Sequence, residues 1–282
     1  MNDSMKPNAA AAGAVTFGGL QVNRLGFGAM RLTGAGIWGE PKDPQAARRV
    51  LQRAVELGVN FIDTADSYGP DVSERIIAES LHPYPPGLVI ATKGGLVRPG
   101  SDQWERDGSP AHLRQACEGS LQRLRVERID LYQLHTVDPR VPLEDSLGEL
   151  VKLQQEGKIR CIGVSNFSVA QLQRAAKIAT VVSVQNRYNV SDRNSDDVID
   201  YCQQRQMAFI PWYPLAAGEH AGSGNSGAGE LERIVSRHKV TTAQAALAWL
   251  LARSPVMLPI PGTSSVAHLE ENIAAASVKL AA

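Results

Sequence analysis

The chain has 282 residues, 43% of them hydrophobic, a length that suits one α/β barrel or two average domains. Its 29 Lys and Arg residues cancel its 29 Asp and Glu residues, so the overall charge favours no nucleic-acid or membrane partner. Three widely spaced cysteines, with no CxxC and no histidine-rich cluster, indicate reduced thiols and no metal site.

Residues 1–14 are rich in alanine and predict a disordered tail ahead of a single domain at 15–282. The tail lacks the basic start and long apolar stretch of a signal peptide. No apolar run in the sequence approaches the length of a membrane span. These features predict a cytoplasmic protein.

After the tail, extended apolar runs alternate with helical patterns. VTFGGLQV at 15–22 is typical of a β-hairpin that turns at Gly18 and Gly19. Strand candidates then lie at 24–30, 59–64, 88–93, 129–135, 159–165, 181–185, 208–212 and 256–262. Helical patterns lie at 43–58, 71–81, 109–124, 142–158, 168–179, 194–206, 231–239 and 241–254. Because eight strands alternate with about eight helices, the sequence predicts a (β/α)8 TIM barrel with an N-terminal β-hairpin.

Except for the first, the strand candidates end on polar or aromatic residues or are followed by them. The carboxyl ends of barrel strands form one rim, and barrel enzymes carry their active sites there. We therefore expect one site that contains Asp63, Lys93, His135, Ser165, Asn166, Gln185, Trp212 and Tyr213, with PGTSS at 261–265.

A proton-transfer set near this rim consists of Asp63, Tyr68, Lys93 and His135, with Tyr68 on the loop after Asp63. A phenol is a weak acid at neutral pH, and a nearby ammonium such as Lys93 lowers its pKa. Asp63 can pair with the buried Lys93, and His135 can form a hydrogen bond with a substrate oxygen or with the phenol. Such a set delivers a proton to a carbonyl oxygen. Since no side chain supplies a hydride, the sequence also predicts a nicotinamide cofactor.

This arrangement resembles the aldo-keto reductase family over about residues 15–280. The resemblance is carried by DTADSYG, the lysine of LVIATK, the LH of DLYQLH, GVSNF, QNRYN and IPGTSSVAHLEEN. It implies that Tyr68 is the general acid/base, that Lys93 and Asp63 tune it, and that His135 orients the carbonyl. It also implies a monomer or weak oligomer and an NADPH/NADP+ site formed by Ala29, Met30, Asp63, Ser165, Asn166, Gln185, Trp212, Tyr213, Pro214, Leu215, Gly218, Gly262, Thr263, Ser264, Ser265, His268, Glu271 and Asn272.

The adenosine end of this implied site departs from many relatives, which place lysine at Gly262 and arginine at His268. Histidine loses its charge as the pH rises past neutrality, so NADPH is expected to bind more weakly at pH 8 than at pH 6. Alternatively, His268 is an ordinary exposed helix residue. The Gly- and Ser-rich segment 216–230 either folds over the cofactor or is a mobile surface loop.

The substrate pocket is expected to contain Trp38, Tyr68, Trp104 and His135. Aromatic walls favour apolar or aromatic carbonyl substrates, although the two tryptophans could equally anchor their loops. GAGIWGEP and IPGTSSVAHLEEN are also similar to a bacterial branch of the family that includes a pyridoxal reductase. Pyridoxal is therefore the specific substrate that the sequence favours.

Two other functions fit part of the pattern. A Schiff-base aldolase could use Lys93 to form an imine, but this reading leaves Tyr68, Asn166 and Gln185 unexplained. A cofactor-binding regulatory subunit could share the fold, although it would not need a complete proton-transfer set. The sequence therefore predicts an NADPH-dependent reductase of aldehydes and ketones, with aromatic or small aldehydes as the favoured substrates.

Overall fold

The computed structural model describes residues 7–216 and 227–280 of the chain. Its strands in these ranges are β1 (Ala14–Phe17), β2 (Leu20–Asn23), β3 (Phe27–Gly28), β4 (Phe61–Asp63), β5 (Val89–Gly94), β6 (Leu96–Val97), β7 (Glu105–Arg106), β8 (Ile129–Leu134), β9 (Ile159–Ser165), β10 (Val181–Gln185) and β11 (Ala208–Phe209). Within the described ranges, seven of them form a parallel sheet in the order β11-β10-β9-β8-β5-β4-β3. Two further pairs, β1 with β2 and β6 with β7, are antiparallel hairpins.

The segment at 256–259 closes this sheet into a barrel. On one side, the Phe209 N–H donates to the Val256 carbonyl and the Leu258 N–H donates to the Phe209 carbonyl, both at 2.9 Å. On the other side, the Gly26 N–H donates to the Pro259 carbonyl at 2.9 Å. The strand predicted at 256–262 is therefore present as an irregular connection, since its prolines have no N–H to donate to a ladder. The predicted barrel and hairpin are confirmed.

Helices pack around the outside of the sheet. They are α1 (Pro44–Glu56), α2 (Val72–Leu81), α3 (Pro110–Leu124), α4 (Leu143–Gln155), α5 (Val169–Ala175), α6 (Asp196–Arg205), α7 (Ala228–His238), α8 (Thr242–Arg253) and α9 (Val266–Ala274). In α1 the side chains of Val50, Leu51 and Ala54 are buried, as the helical spacing of its apolar residues predicts. No helix in the described ranges is long and apolar enough to cross a lipid bilayer.

The hairpin of β1 and β2 covers the end of the barrel where the strands begin. Phe17 packs edge-on against Phe61 at the start of β4, with ring centroids 6.3 Å apart. Gly18 and Gly19 turn the hairpin with φ of +55° and +73°, a conformation that favours glycine. Because this end is filled by apolar side chains, the opposite end, where the strands finish, is the one available for a site.

Residues 8–13 correct the predicted disordered tail. Asn8 caps a 3-10 turn at Ala9–Ala12, and its side chain accepts from the Ala10 N–H. Ala9 is fully buried and its N–H donates to the Leu57 carbonyl at 2.8 Å. The prediction is wrong here because alanine is small enough to pack closely against the end of α1. Residues 1–6 lie outside the described ranges.

Gly28 allows a close approach at the barrel closure. A Cβ at this position would lie 2.6 Å from the Ile260 carbonyl oxygen, so Gly28→Ala must push backbone segments apart. We expect this change to lower the free energy of unfolding by about 1–3 kcal/mol, measured by urea denaturation.

Gly148→Ala is the matched control for this prediction. Gly148 lies inside α4, and an added Cβ would meet nothing within 4 Å. Alanine should therefore stabilise the helix by about 1 kcal/mol. Equal effects of the two substitutions would contradict the close contact at the closure.

Candidate active site

A cavity of about 560 Å³ lies at the carboxyl ends of the strands. Most of the residues expected at the rim surround it, although they come from segments far apart in the chain. The sequence-predicted residues that line it are Met30, Asp63, Tyr68, Trp104, His135, Ser165, Asn166, Gln185, Trp212, Tyr213, Pro214, Leu215 and Gly262. The structure thus brings the expected proton-transfer groups and much of the expected cofactor site to one place.

Lys93 lies beneath the cavity floor with its side chain fully buried. Its ammonium donates to Asp63 Oδ2 at 2.7 Å and to the Thr64 carbonyl at 2.7 Å. Its third contact is with the hydroxyl of Tyr68, at 3.4 Å. The ammonium therefore has three oxygen partners, and one of them is the phenol that faces the cavity.

Asp63 is itself held by two glutamines. Gln133 Nε2 donates to Asp63 Oδ1 at 3.1 Å, and Gln185 Nε2 donates to the same oxygen at 2.8 Å. Both carboxylate oxygens are thus occupied, one by an ammonium and the other by two amides. Gln133 was not expected from the sequence. Gln133 lies on β8, two residues before His135, so the two side chains point to the same inward face.

The pKa of Tyr68 differs from the sequence-based expectation. Burial raises this pKa and outweighs the lowering effect of the Lys93 ammonium, so the net shift is upward. For Lys93, burial lowers the pKa, but Asp63 and Tyr68 oppose burial and leave the pKa raised. The pair therefore keeps Lys93 as an ammonium and Tyr68 as a neutral phenol at neutral pH. A neutral phenol is the form that can donate a proton.

His135 lies across from Tyr68, with ring centroids 6.1 Å apart in an edge-on arrangement. Burial and the Lys93 ammonium hold its pKa well below the usual range, so the imidazole is neutral. Nδ1 is buried and has no hydrogen-bond partner within the described ranges. A neutral imidazole carries one N–H, which can polarise a carbonyl oxygen without adding a charge to the site.

Ser165, Asn166 and Trp212 form a hydrogen-bonded group among the residues that line the cavity. The Asn166 amide donates to the His135 carbonyl and to Ser165 Oγ, both at 3.1 Å. Trp212 Nε1 donates to Asn166 Oδ1 at 3.0 Å. Asn166 has a φ of +62°, a conformation that asparagine tolerates better than most residues. This group joins the ends of β8 and β9 to the segment after β11.

Several sequence-predicted residues do not line the cavity. Ala29 is fully buried behind it, and Trp38 lies against Arg98 instead, with 5.5 Å from the guanidinium carbon to the ring centroid. The predicted adenosine residues belong to α9 and the turn before it: Thr263, Ser264 and Ser265 precede the helix, whereas His268, Glu271 and Asn272 lie within it. His268 is exposed there, and its backbone N–H donates to Ser265 Oγ. Gly218 and most of the loop 216–230 fall outside the described residues.

Other lining residues were missed by the sequence analysis. Arg31 and Leu96 come from the segments after β3 and β5, and the others are Gly28, Ala216 and Ile260; Pro261, which also lines the cavity, belongs to the expected PGTSS. Most are apolar or glycine, so they carry no chemical pattern that a sequence would reveal. Arg31 could have been noticed, because it is the only charged residue of RLGFGAMRLTG that comes after the strand predicted at 24–30.

The cavity suits a nicotinamide dinucleotide in two respects. Ser165, Asn166 and Gln185 line it with polar groups, whereas Leu215 and Pro214 offer apolar contact. In addition, the buried Nδ1 of His135 has no hydrogen-bond partner among the described residues, so it can still form a hydrogen bond with a bound molecule. Among the described residues, no group of His, Cys, Asp and Glu is arranged to hold a metal ion.

Fold and site together are those of a barrel oxidoreductase. The model of the aldo/keto reductase family matches residues 24–282. An uncharacterized oxidoreductase of Schizosaccharomyces pombe is 51% identical over 273 residues, covering 97% of this chain and 88% of that protein. Pyridoxine 4-dehydrogenase of Escherichia coli is 42% identical over 271 residues, covering 94% and 93%. This chain belongs to the aldo/keto reductase family.

Solved structures agree with this membership. The glycerol dehydrogenase AKR11B4 of Gluconobacter oxydans has a TM-score of 0.86 at 28% identity, covering 96% of this chain and 92% of that one. An aldo-keto reductase of Klebsiella pneumoniae in complex with NADPH has a TM-score of 0.78 at 28% identity, covering 95% and 90%. The predicted resemblance and the class of NADP-dependent aldo-keto reductase are therefore confirmed.

Replacing Asp63 tests the buried ion pair. Asp63→Asn leaves the Lys93 ammonium without a counter-charge in a site that excludes water, so the free energy of unfolding should fall by about 3–5 kcal/mol. The double variant Asp63→Asn/Lys93→Met removes both charges and should recover most of that loss. Urea denaturation of the three proteins measures this, and an Asp63→Asn protein as stable as the parent would contradict the pair.

The neutral His135 predicts a pH-dependent stability. Below about pH 6.5 the unfolded chain protonates this imidazole while the folded protein does not, so stability falls as the pH falls. Between pH 7 and pH 5, we expect this one proton to remove up to about 2 kcal/mol from the free energy of unfolding. Over the same pH interval, the free energy of unfolding of His135→Gln should fall by about 2 kcal/mol less than that of the parent protein, as measured by urea denaturation. Equal losses in both proteins would contradict a buried neutral imidazole.

Proposed function

We propose that this enzyme reduces small aldehydes and ketones to alcohols with NADPH, and that Tyr68 supplies the proton. One observation carries the proposal: the Tyr68 hydroxyl faces the cavity 3.4 Å from Lys93 Nζ, which is anchored to Asp63 at 2.7 Å. His135 lines the same cavity and stands on the other side of the phenol. A carbonyl oxygen placed between them would meet one acid and one hydrogen-bond donor.

The residues divide the work of reduction. NADPH, when bound, supplies the hydride that no side chain can provide. Tyr68 donates its proton to the substrate oxygen as negative charge develops there. The Lys93 ammonium then stabilises the phenolate that remains, since it lies within hydrogen-bond distance. Ser165, Asn166 and Gln185 are proposed to hold the nicotinamide end of the cofactor.

The adenosine end of the cofactor is proposed to lie toward the turn before α9. Ser265 caps that helix, and Thr263 Oγ1 accepts from the Ser265 N–H at 3.0 Å, so the turn is already ordered. The start of a helix favours an anionic group such as a phosphate. The proposed contribution of the exposed His268 to NADPH binding stays a prediction.

The walls near Tyr68 favour aromatic substrates. Trp104, Leu96, Met30 and Tyr213 line the cavity with apolar or aromatic surface. Planar rings gain dispersion and stacking energy against such walls. The relative that acts on pyridoxine, at 42% identity, supports a pyridine aldehyde such as pyridoxal as the physiological class.

The imine-forming alternative is disfavoured by the position of Lys93. Its side chain is fully buried, its ammonium is occupied by three oxygens, and it does not line the cavity. A Schiff-base lysine must instead reach the substrate in its neutral form. Asp63 raises the Lys93 pKa against the lowering effect of burial, which keeps the amine protonated.

Tyr68→Phe tests the proposed function. The change removes the proton donor but keeps the ring, so NADPH oxidation with 4-nitrobenzaldehyde or pyridoxal should fall by about 10²–10⁴-fold. The dissociation constant for NADPH, measured by fluorescence titration, should stay within about a factor of two because the cofactor contacts are retained.

The parent protein serves as the reference in the same assay. Turnover by Tyr68→Phe at the parental rate would contradict the assigned acid. A parent protein that binds NADPH but reduces neither aldehyde would favour a cofactor-binding regulatory subunit. A parent protein that neither binds nor oxidises NADPH would overturn the cofactor assignment.

A further inference from the structure

Arg98 lies at the centre of the loops beside the cavity. It follows β6, and Trp104 precedes β7, so the two residues stand at opposite sides of the same hairpin tip. The Arg98 residue is only 8% exposed. Among the described residues, no carboxylate forms an ion pair with it.

Instead, all five N–H donors of this guanidinium go to backbone carbonyls. Within its own hairpin tip, Nε donates to Gln103 at 2.9 Å, and Nη2 donates to Ser101. Since these carbonyls belong to the tip that carries Trp104, Arg98 fixes the backbone of that tip.

The remaining donors reach two other loops. Nη2 donates to Gly36 and Nη1 to Ile37, both at 3.0 Å, in the segment after β3. Nη1 also approaches the Ser67 carbonyl at 3.4 Å, directly before Tyr68. Gly36 and Ile37 have φ of +68° and +57°, which is an uncommon conformation for isoleucine. The guanidinium thus ties three loops of the barrel rim together.

Two tryptophans lie against the guanidinium. Its central carbon is 3.7 Å from the ring centroid of Trp104 and 5.5 Å from that of Trp38. Trp104 also lines the cavity, whereas Trp38 does not. Trp104 is 40% exposed and therefore has little packing of its own to fix its position. The stacking on Arg98 is the contact that holds this wall of the cavity in place.

We propose that Arg98 is a positioning residue for substrate selection, which holds Trp104 against the cavity so that aromatic carbonyl compounds are preferred. The inference rests on the proposed reductase function. Lysine could not replace arginine here, because an ammonium has three donors and no flat face to stack on an indole. Tyr68 depends less on Arg98, because the phenol is anchored by Lys93 and its link to Arg98 is the long contact at Ser67.

The test compares an aromatic aldehyde, 4-nitrobenzaldehyde, with a small aliphatic one, propanal. Arg98→Lys should raise KM for 4-nitrobenzaldehyde about tenfold, the value expected for losing a stacked wall contact. The kcat for this substrate, KM for propanal and the NADPH dissociation constant should change little. Arg114→Lys is the matched control, because Arg114 binds Glu149 and Glu156 on the outer helices and should shift neither KM.

A double-variant cycle isolates the route through Trp104. In a Trp104→Ala background, Arg98→Lys should raise KM for 4-nitrobenzaldehyde no further. An unchanged KM in Arg98→Lys, equal losses for both aldehydes, or an effect that persists without Trp104 would each overturn the inference. A parent enzyme that reduces neither aldehyde would overturn the proposed function itself, and the inference with it.

Discussion

The site depends on one buried ion pair, the contact of 2.7 Å between Lys93 Nζ and Asp63 Oδ2. An ammonium removed from water is costly unless a counter-charge and further acceptors surround it. Here Asp63 supplies the charge, and the Thr64 carbonyl and the Tyr68 hydroxyl complete the surroundings. Two glutamine amides hold the other carboxylate oxygen. Because each of these groups has a fixed partner, the Tyr68 hydroxyl is tied to the barrel strands through Lys93 and Asp63, with no flexible segment between them.

The barrel explains how these groups meet. Asp63, Lys93 and His135 lie at or just after the ends of adjacent parallel strands. In the register of β4, β5 and β8, Asp63 pairs with Ala91 and Lys93 pairs with Gln133, so the three residues fall within a few positions of one another along the strands. The hairpin fills the other end of the barrel with apolar side chains. Asp63 and Lys93 of the proposed proton-transfer set therefore come from the sheet, and Tyr68 is tied to them from a loop, whereas the proposed substrate walls come from loops. Arg98 adds hydrogen bonds to the backbone of three of those loops.

Much of the fold and of the proton-transfer set could be predicted from the sequence, because both leave local patterns. Apolar runs that end on Asp63 or Lys93 mark the strands and their rim together. Three features could not be predicted this way. Gln133 meets Asp63 across 70 positions of sequence, the hydrogen bonds of Arg98 in the described part of the chain go to backbone carbonyls, and the upward pKa shift of Tyr68 depends on how deeply the phenol is buried. Each depends on distances between segments, which no single stretch of sequence contains.

The most direct test of the ion pair is the titration of Lys93 by ¹⁵N NMR of lysine side chains, with its resonance assigned through Lys93→Met. Burial alone would lower the pKa of this amine, whereas Asp63 opposes burial and raises it above the ordinary value. We expect Lys93 Nζ to stay an ammonium up to and beyond the usual titration range near pH 10.4. An amine that loses its proton below about pH 9 would show that burial prevails, and would contradict the arrangement on which the site depends.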